Sequence, residues 1–137
     1  MGKLPDIETT FYIEAPPSRV FAALTDSKEL VKWWPVKATV DDVEGGRFSL
    51  LFKNGFVMDG KLSGFKVNSS VSFSWVEGTA SFKLLKTKGG TLLKLHHSGF
   101  ETPDALWMSS GGWSYYLTNL KSVLGHGMDL RSKQDRF

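Results

Sequence analysis

The sequence predicts an α+β domain in which a curved antiparallel sheet of about seven strands wraps around one long C-terminal helix. Three observations predict it. Residues 37–99 form a run of alternating apolar segments parted by Gly and Asn turns. Two short helices precede that run, and an apolar stripe at helical spacing closes the chain. The 137 residues, 41% hydrophobic and 23% charged, fit one domain over 1–137, with a core at about 7–125 and a polar tail at 126–137.

Each element has a local reason. Residues 7–14, IETTFYIE, are β-branched and aromatic and read as a first strand. Pro17 suits the first turn of a helix over 17–25, with Val20, Phe21 and Leu24 on one face. Asp26 and Ser27 cap a second short helix, KELVKWW, which Pro35 stops. Strands follow at 37–44, 47–53, 56–67, 70–76, 79–87 and 91–99, joined at Gly45-Gly46, Asn54-Gly55, Asn68-Ser69, Glu77-Gly78 and Gly89-Gly90. Short turns of this kind between apolar runs join antiparallel neighbours, so a meander is expected. Gly64 is expected to mark a bulge.

Thr102-Pro103-Asp104 then opens the long helix with a cap, a first-turn proline and an acid at the positive end. Trp113, Tyr116, Leu117, Leu120 and Leu124 make its stripe, and Gly125 is expected to end it. Ser109-Ser110-Gly111-Gly112 breaks the pattern, either for close approach to the sheet or as a flexible gate. The tail beyond is expected to fray.

Composition excludes several classes. There is no cysteine, hence no disulfide scaffold, thiolate metal site or cysteine nucleophile. With three histidines, two of them adjacent and pointing oppositely on a strand, no metal site is expected, and no cofactor. No apolar run approaches the ~18 residues of a membrane span, and MGKLPDIETT does not read as a signal peptide, so a cytoplasmic protein is expected. The net charge is +3, and the densest basic group, Lys83, Lys86, Lys88 and Lys94, surrounds one hairpin. That is a solvated sheet face, and no nucleic-acid partner is expected.

The strand period assigns an inner face to Phe48, Leu50 and Phe52, to Val71, Phe73 and Trp75, and to Leu93, Leu95 and His97. Phe56, Met58, Gly60 and Leu62 also read as inward, whereas Asp59 reads as outward. Trp34, Trp107, Trp113, Tyr116 and Leu117 complete an aromatic interior. Either these rings fill the core or they line a cavity between sheet and helix. The candidate cavity residues on the strands are Phe48, Phe52, Phe56 and Met58, with Phe73, Trp75, Leu95 and His97 beside them. On the helices they are Trp34, Ser110, Trp113, Tyr116 and Leu117. His97 is the one inward titratable group, a weak catalytic candidate. Its bland reading is a core histidine satisfied by Ser109 or Ser110.

The ordered motifs resemble those of the helix-grip fold, the START-like, birch-pollen-allergen-like superfamily also called SRPBCC. Residues 13–34, IEAPPSRVFAALTDSKELVKWW, resemble the opening of one subfamily. DDVEGGRF at 41–48, Gly60, LHHSGF at 95–100 and GWSYYLTNLKSVL at 112–124 resemble its later motifs, in order. That subfamily comprises homologues of the heat-shock-protein-90 ATPase activator's C-terminal domain. The resemblance implies a cavity-bearing domain, since superfamily members bind lipids, steroids, polyketides or plant hormones and some are cyclases. It implies binding of a small hydrophobic or aromatic molecule, as carrier or sensor. The alternatives are a cyclase- or hydrolase-like enzyme using the same cavity and a protein-interaction module or chaperone co-regulator. A monomer or weak homodimer is expected.

Overall fold

The computed structural model describes residues 3–132. Its elements run β1 (Ile7–Ile13), α1 (Pro17–Thr25), α2 (Ser27–Leu30), β2 (Lys37–Val40), β3 (Arg47–Leu51), β4 (Val57–Lys66), β5 (Ser70–Ser74), β6 (Thr79–Thr87), β7 (Gly90–Ser98) and α3 (Pro103–His126). The seven strands form one antiparallel sheet in the order β1-β7-β6-β5-β4-β3-β2. From β2 to β7 it is the expected meander. β1 joins the far edge through the register Ile7↔His97 to Ile13↔Thr91. β1 and α3 thereby come together, because α3 leaves directly from β7.

Local chemistry explains most boundaries. Pro17 stands at the start of α1. Asp26 Oδ1 accepts from the Lys28 and Glu29 amides at 2.8 and 3.2 Å, starting α2. α2 is shorter than the sequence suggested: its last residues turn so that Trp33 buries fully and donates Nε1–H to the Ala23 carbonyl at 2.8 Å. The strand expected over 37–44 stops at Val40. There the backbone doubles back so tightly that a Cβ on Gly46 would lie 1.8 Å from the Asp41 carbonyl oxygen. Gly64 has φ +54°, and the β4–β5 register shifts between Ser63 and Lys66, the expected bulge.

The core is a single cluster from sheet, α1, α2 and the rear half of α3, including Trp33, Phe73, Phe82, Leu95 and Leu117. The strand faces fall as the alternation assigned them: Phe48, Leu50, Val71, Phe73, Leu93, Leu95 and His97 are buried. Phe56 departs from this and is half exposed at the β3–β4 turn. Trp107, expected inside, is 82% exposed.

Two expectations at the C-terminus are corrected. Gly125 lies inside the last turn of α3, and Gly127 at φ +67° caps it. Its amide bonds to the Val123 carbonyl at 3.1 Å, satisfying one of the orphan acceptors. The tail does not fray directly after the helix. The Arg131 guanidinium donates to the carbonyls of Val31 at 2.8 Å, Trp34 at 3.1 Å and Pro35 at 3.2 Å. It also pairs with Asp129 at 2.8 Å. Buried Asn119 donates to the Trp33 carbonyl and the Asp129 carboxylate and accepts from the Leu130 amide. This strap holds down the turn that carries Trp33 and Trp34. Residues 133–137 of the expected tail lie outside the described residues.

Candidate functional site

α3 is continuous through Ser109–Gly112, but only its rear half packs down. From Trp113 onward it buries Trp113, Tyr116, Leu117, Asn119 and Leu120, while none of residues 103–112 is buried. The front half therefore stands away from the sheet and leaves a groove of about 650 Å³. That volume is in the range of small-molecule sites.

One side of the groove is the β3–β4 turn, with Phe52, Asn54 and Phe56, and Met58 at the start of β4. The opposite side is the β5–β6 turn, with Trp75, Val76 and Glu77. α3 covers it with Ala105, Met108, Ser109, Gly111 and Gly112, and Trp107 stands at the rim. Trp34, Trp113 and Tyr116, nearly buried, form the inner end. These rings support one another. Trp34 and Trp75 stack at 5.8 Å with only 4° between their planes, and Trp113 lies 5.4 and 5.1 Å from them. Phe52 bridges Trp34 and Tyr116 at 6.0 and 6.1 Å. Rings held this way are rigid walls, since each would lose contacts on turning.

Glu77 locks the groove to the start of α3. Its Oε1 accepts from the Glu101 and Thr102 amides at 2.6 and 2.9 Å, and its Oε2 from the Thr102 hydroxyl at 2.8 Å. The Thr102 hydroxyl also caps the Ala105 amide at 3.3 Å. The Glu101 amide bond, with those of Thr102, holds the Glu77 carboxyl below its usual range. The carboxylate is ionised and sits at the positive end of the helix.

His97 lies behind the inner end, not on the groove. Its ring is fully buried. Nδ1 accepts from Trp113 Nε1–H at 3.0 Å, and Nε2–H donates to the Glu77 carbonyl at 2.9 Å. The partner is thus Trp113 rather than Ser109 or Ser110. Burial pushes the His97 pKa down, which keeps the ring in this neutral tautomer. With both nitrogens engaged it has no spare group for a substrate. His96 points outward and pairs with Asp6 at 2.8 Å. Among the described residues no cluster of three or more His, Cys, Asp or Glu can hold a metal, and no helix is long and apolar enough to cross a membrane.

Of the residues selected from sequence, the groove brings together Trp34, Phe52, Phe56, Met58, Trp75, Trp113 and Tyr116. Phe48, Phe73, Leu95 and Leu117 are core residues beneath it, and His97 lies behind it. Ser110 is on the outer side of α3, its hydroxyl donating to the Leu106 carbonyl at 2.9 Å. Counting back from Trp113 by the helical period reaches Ser109 and Ala105, the residues that do line the groove. That signal was available in the sequence. Asn54 and Glu77 carried none, because turn residues have no period, and the alternation of the expected strand 70–76 placed Val76 outward.

A strongly curved sheet gripping one long helix, with an aromatic groove between them, defines a helix-grip protein of the cavity-bearing kind. The chain belongs to the family described as activator of Hsp90 ATPase homolog 1-like protein, whose model matches residues 14–125. The Aha1 dimer from Colwellia psychrerythraea is similar, with 27% identity and a TM-score of 0.81 over 90% of this chain and 98% of that one. A Staphylococcus saprophyticus protein has 22% identity and a TM-score of 0.84 over 93% and 97%. DynU16, a protein of the dynemicin biosynthetic locus, has 18% identity and a TM-score of 0.82 over 93% of this chain and 50% of that one. The last two likenesses concern fold alone. No protein with curated annotation matches the chain.

Proposed function

We propose that the protein binds a small hydrophobic or aromatic molecule in the groove between the sheet and the front half of α3, as a carrier or sensor. One observation carries the reading: about 650 Å³ of space is walled by aromatic rings packed against one another. The half-exposed Phe56 and the exposed Trp107 and Met108 at its rim support it, since apolar side chains so placed are covered when a ligand enters. Turnover has less support, because the weak catalytic candidate His97 does not line the groove and both its ring nitrogens are engaged.

Native mass spectrometry of freshly purified protein, followed by solvent extraction, tests this together with a thermal-shift screen of lipids and flat aromatic compounds. A co-purifying apolar molecule, or compounds that raise Tm and quench tryptophan fluorescence, is the expected result. An apo mass with no compound shifting either signal overturns it. A second reading, self-association through the same rim, is favoured by the 82% exposure of Trp107 and by the relative described as a dimer. Light scattering that gives a dimer mass, lost in Trp107→Glu, would establish it.

A further inference from the structure

We infer that the groove discriminates by charge: its ligand is a flat aromatic molecule whose polar end is neutral or cationic, and acids are excluded. The inference rests on the binding role just proposed and names the class of ligand. Three features of one sign carry it.

First, among the described residues lining the groove none is Lys, Arg or His; the polar groups are Asn54, Glu77, Ser109, Tyr116 and the indole N–H donors of the tryptophans, of which that of Trp113 is taken by His97. A carboxylate or phosphate entering would give up its hydration without a cation to replace it. The neighbouring Lys53 is not on the wall; its ammonium is bonded to the Ser132 carbonyl. Second, the positive helix terminus beside the groove is already occupied. A helix N-terminus attracts anions, but at α3 the chain's own Glu77 carboxylate takes the Glu101 and Thr102 amides and the Thr102 hydroxyl. Asp104 adds a further acid in the first turn. An incoming anion meets a carboxylate where it would otherwise meet free donors. Third, the faces of Trp34, Phe52, Trp75 and Trp113 carry negative quadrupoles, which attract cations and repel anions.

Three probes on one skeleton separate these contributions from size and shape: 2-naphthylacetate, 2-naphthaleneethanol and 2-(2-naphthyl)ethylamine, titrated at neutral pH. Tryptophan fluorescence and the indole N–H resonances give Kd. The alcohol and amine are expected to bind, with the acid at least tenfold weaker than the alcohol. An acid within twofold of the alcohol, or tighter, overturns the charge selectivity and leaves groove binding standing. If none of the three moves any indole resonance at millimolar concentration, the binding role itself fails and this inference with it.

Two variants locate the cause. Glu77→Gln keeps an acceptor for the helix start and should narrow the acid-to-alcohol gap at least threefold; an unchanged gap in the folded variant overturns the role given to Glu77. Ser109→Lys places a cation on the half-exposed wall without touching that cap. It should strengthen acid binding at least fivefold with little change for the alcohol, and no gain would refute the electrostatic explanation.

Discussion

Trp113→Phe is the substitution in which packing, hydrogen bonding and titration are most tightly joined. The indole N–H is the donor to His97 Nδ1 at 3.0 Å, and both residues are buried, at 3% and 0% exposure. Phenylalanine keeps a ring in place and removes that donor. An orphaned buried acceptor costs about 1–3 kcal/mol. The smaller ring leaves a void of roughly 40 Å³, worth about 1 kcal/mol. Together these predict a loss of about 2–4 kcal/mol, hence a Tm lower by roughly 7–14 °C for a chain of this size.

The same variant changes a titration. In the native protein burial depresses the His97 pKa, against the opposing Glu77 carbonyl bond, and protonating Nδ1 would also point two N–H groups at one another. A histidine neutral in the fold and cationic when unfolded makes stability fall as pH drops below its usual value of about 6.5. With the indole donor gone, Nδ1 can take a proton, so the His97 pKa rises and this acid-side loss becomes shallower. Thermal denaturation at several pH values and the histidine ring resonances measure both effects. A Tm within 2 °C of the parent together with an unchanged His97 titration would refute the reasoning.

Two further outcomes follow from the geometry. Arg131→Ala frees three carbonyls of the Val31–Pro35 turn and should cost about 1–2 kcal/mol in urea denaturation, with Arg131→Lys no substitute because a point charge cannot span them. The Arg131 bond holds the Asp129 carboxyl at about 2, so its contribution is full above about pH 4 and is lost as pH falls toward 2. With that carboxylate 44% exposed, the share is about 1 kcal/mol after solvent screening, and it should vanish from the acid limb in Arg131→Ala. Gly78→Ala should prevent or severely weaken folding, because φ is +82° and the new Cβ would sit 1.7 Å from the Ser98 carbonyl oxygen. Gly45→Ala, at φ +75° with nothing within 4 Å, should cost only about 1 kcal/mol, and equal Tm losses would contradict this contrast.

Much of the fold was legible because it is written in short-range terms. Alternation over 47–53, 70–76 and 91–99 assigned Phe48, Val71, Phe73, Leu93, Leu95 and His97 to the inner face, and they are buried there. Asp26 and Thr102 mark helix starts through bonds they make within a few residues, and Pro17 through its fixed φ and missing N–H. The candidate site was legible only in part. Inwardness alone does not separate a ring that fills the core, such as Phe73, from one that borders space, such as Trp75. The helical period from Trp113 points to Ser109 rather than Ser110, and Trp107 stands exposed at the rim rather than inside. The α3 boundary moved to Gly127, since a glycine ends a helix only where the backbone turns left-handed, and Gly125 does not.

The sequence by itself determined the element order, the faces of the strands and the helix-grip family, all of which follow from local propensity, period and motif order. Tertiary structure alone decided that β1 joins β7, that Glu77 crosses to the start of α3, and that Arg131 returns to the turn bearing Trp34. It also decided that α3 packs from Trp113 onward and stands off before it, which is why there is a groove at all. The physical reason is common to these cases. They depend on the distance between residues far apart in the chain, and neither a period nor a propensity carries that distance.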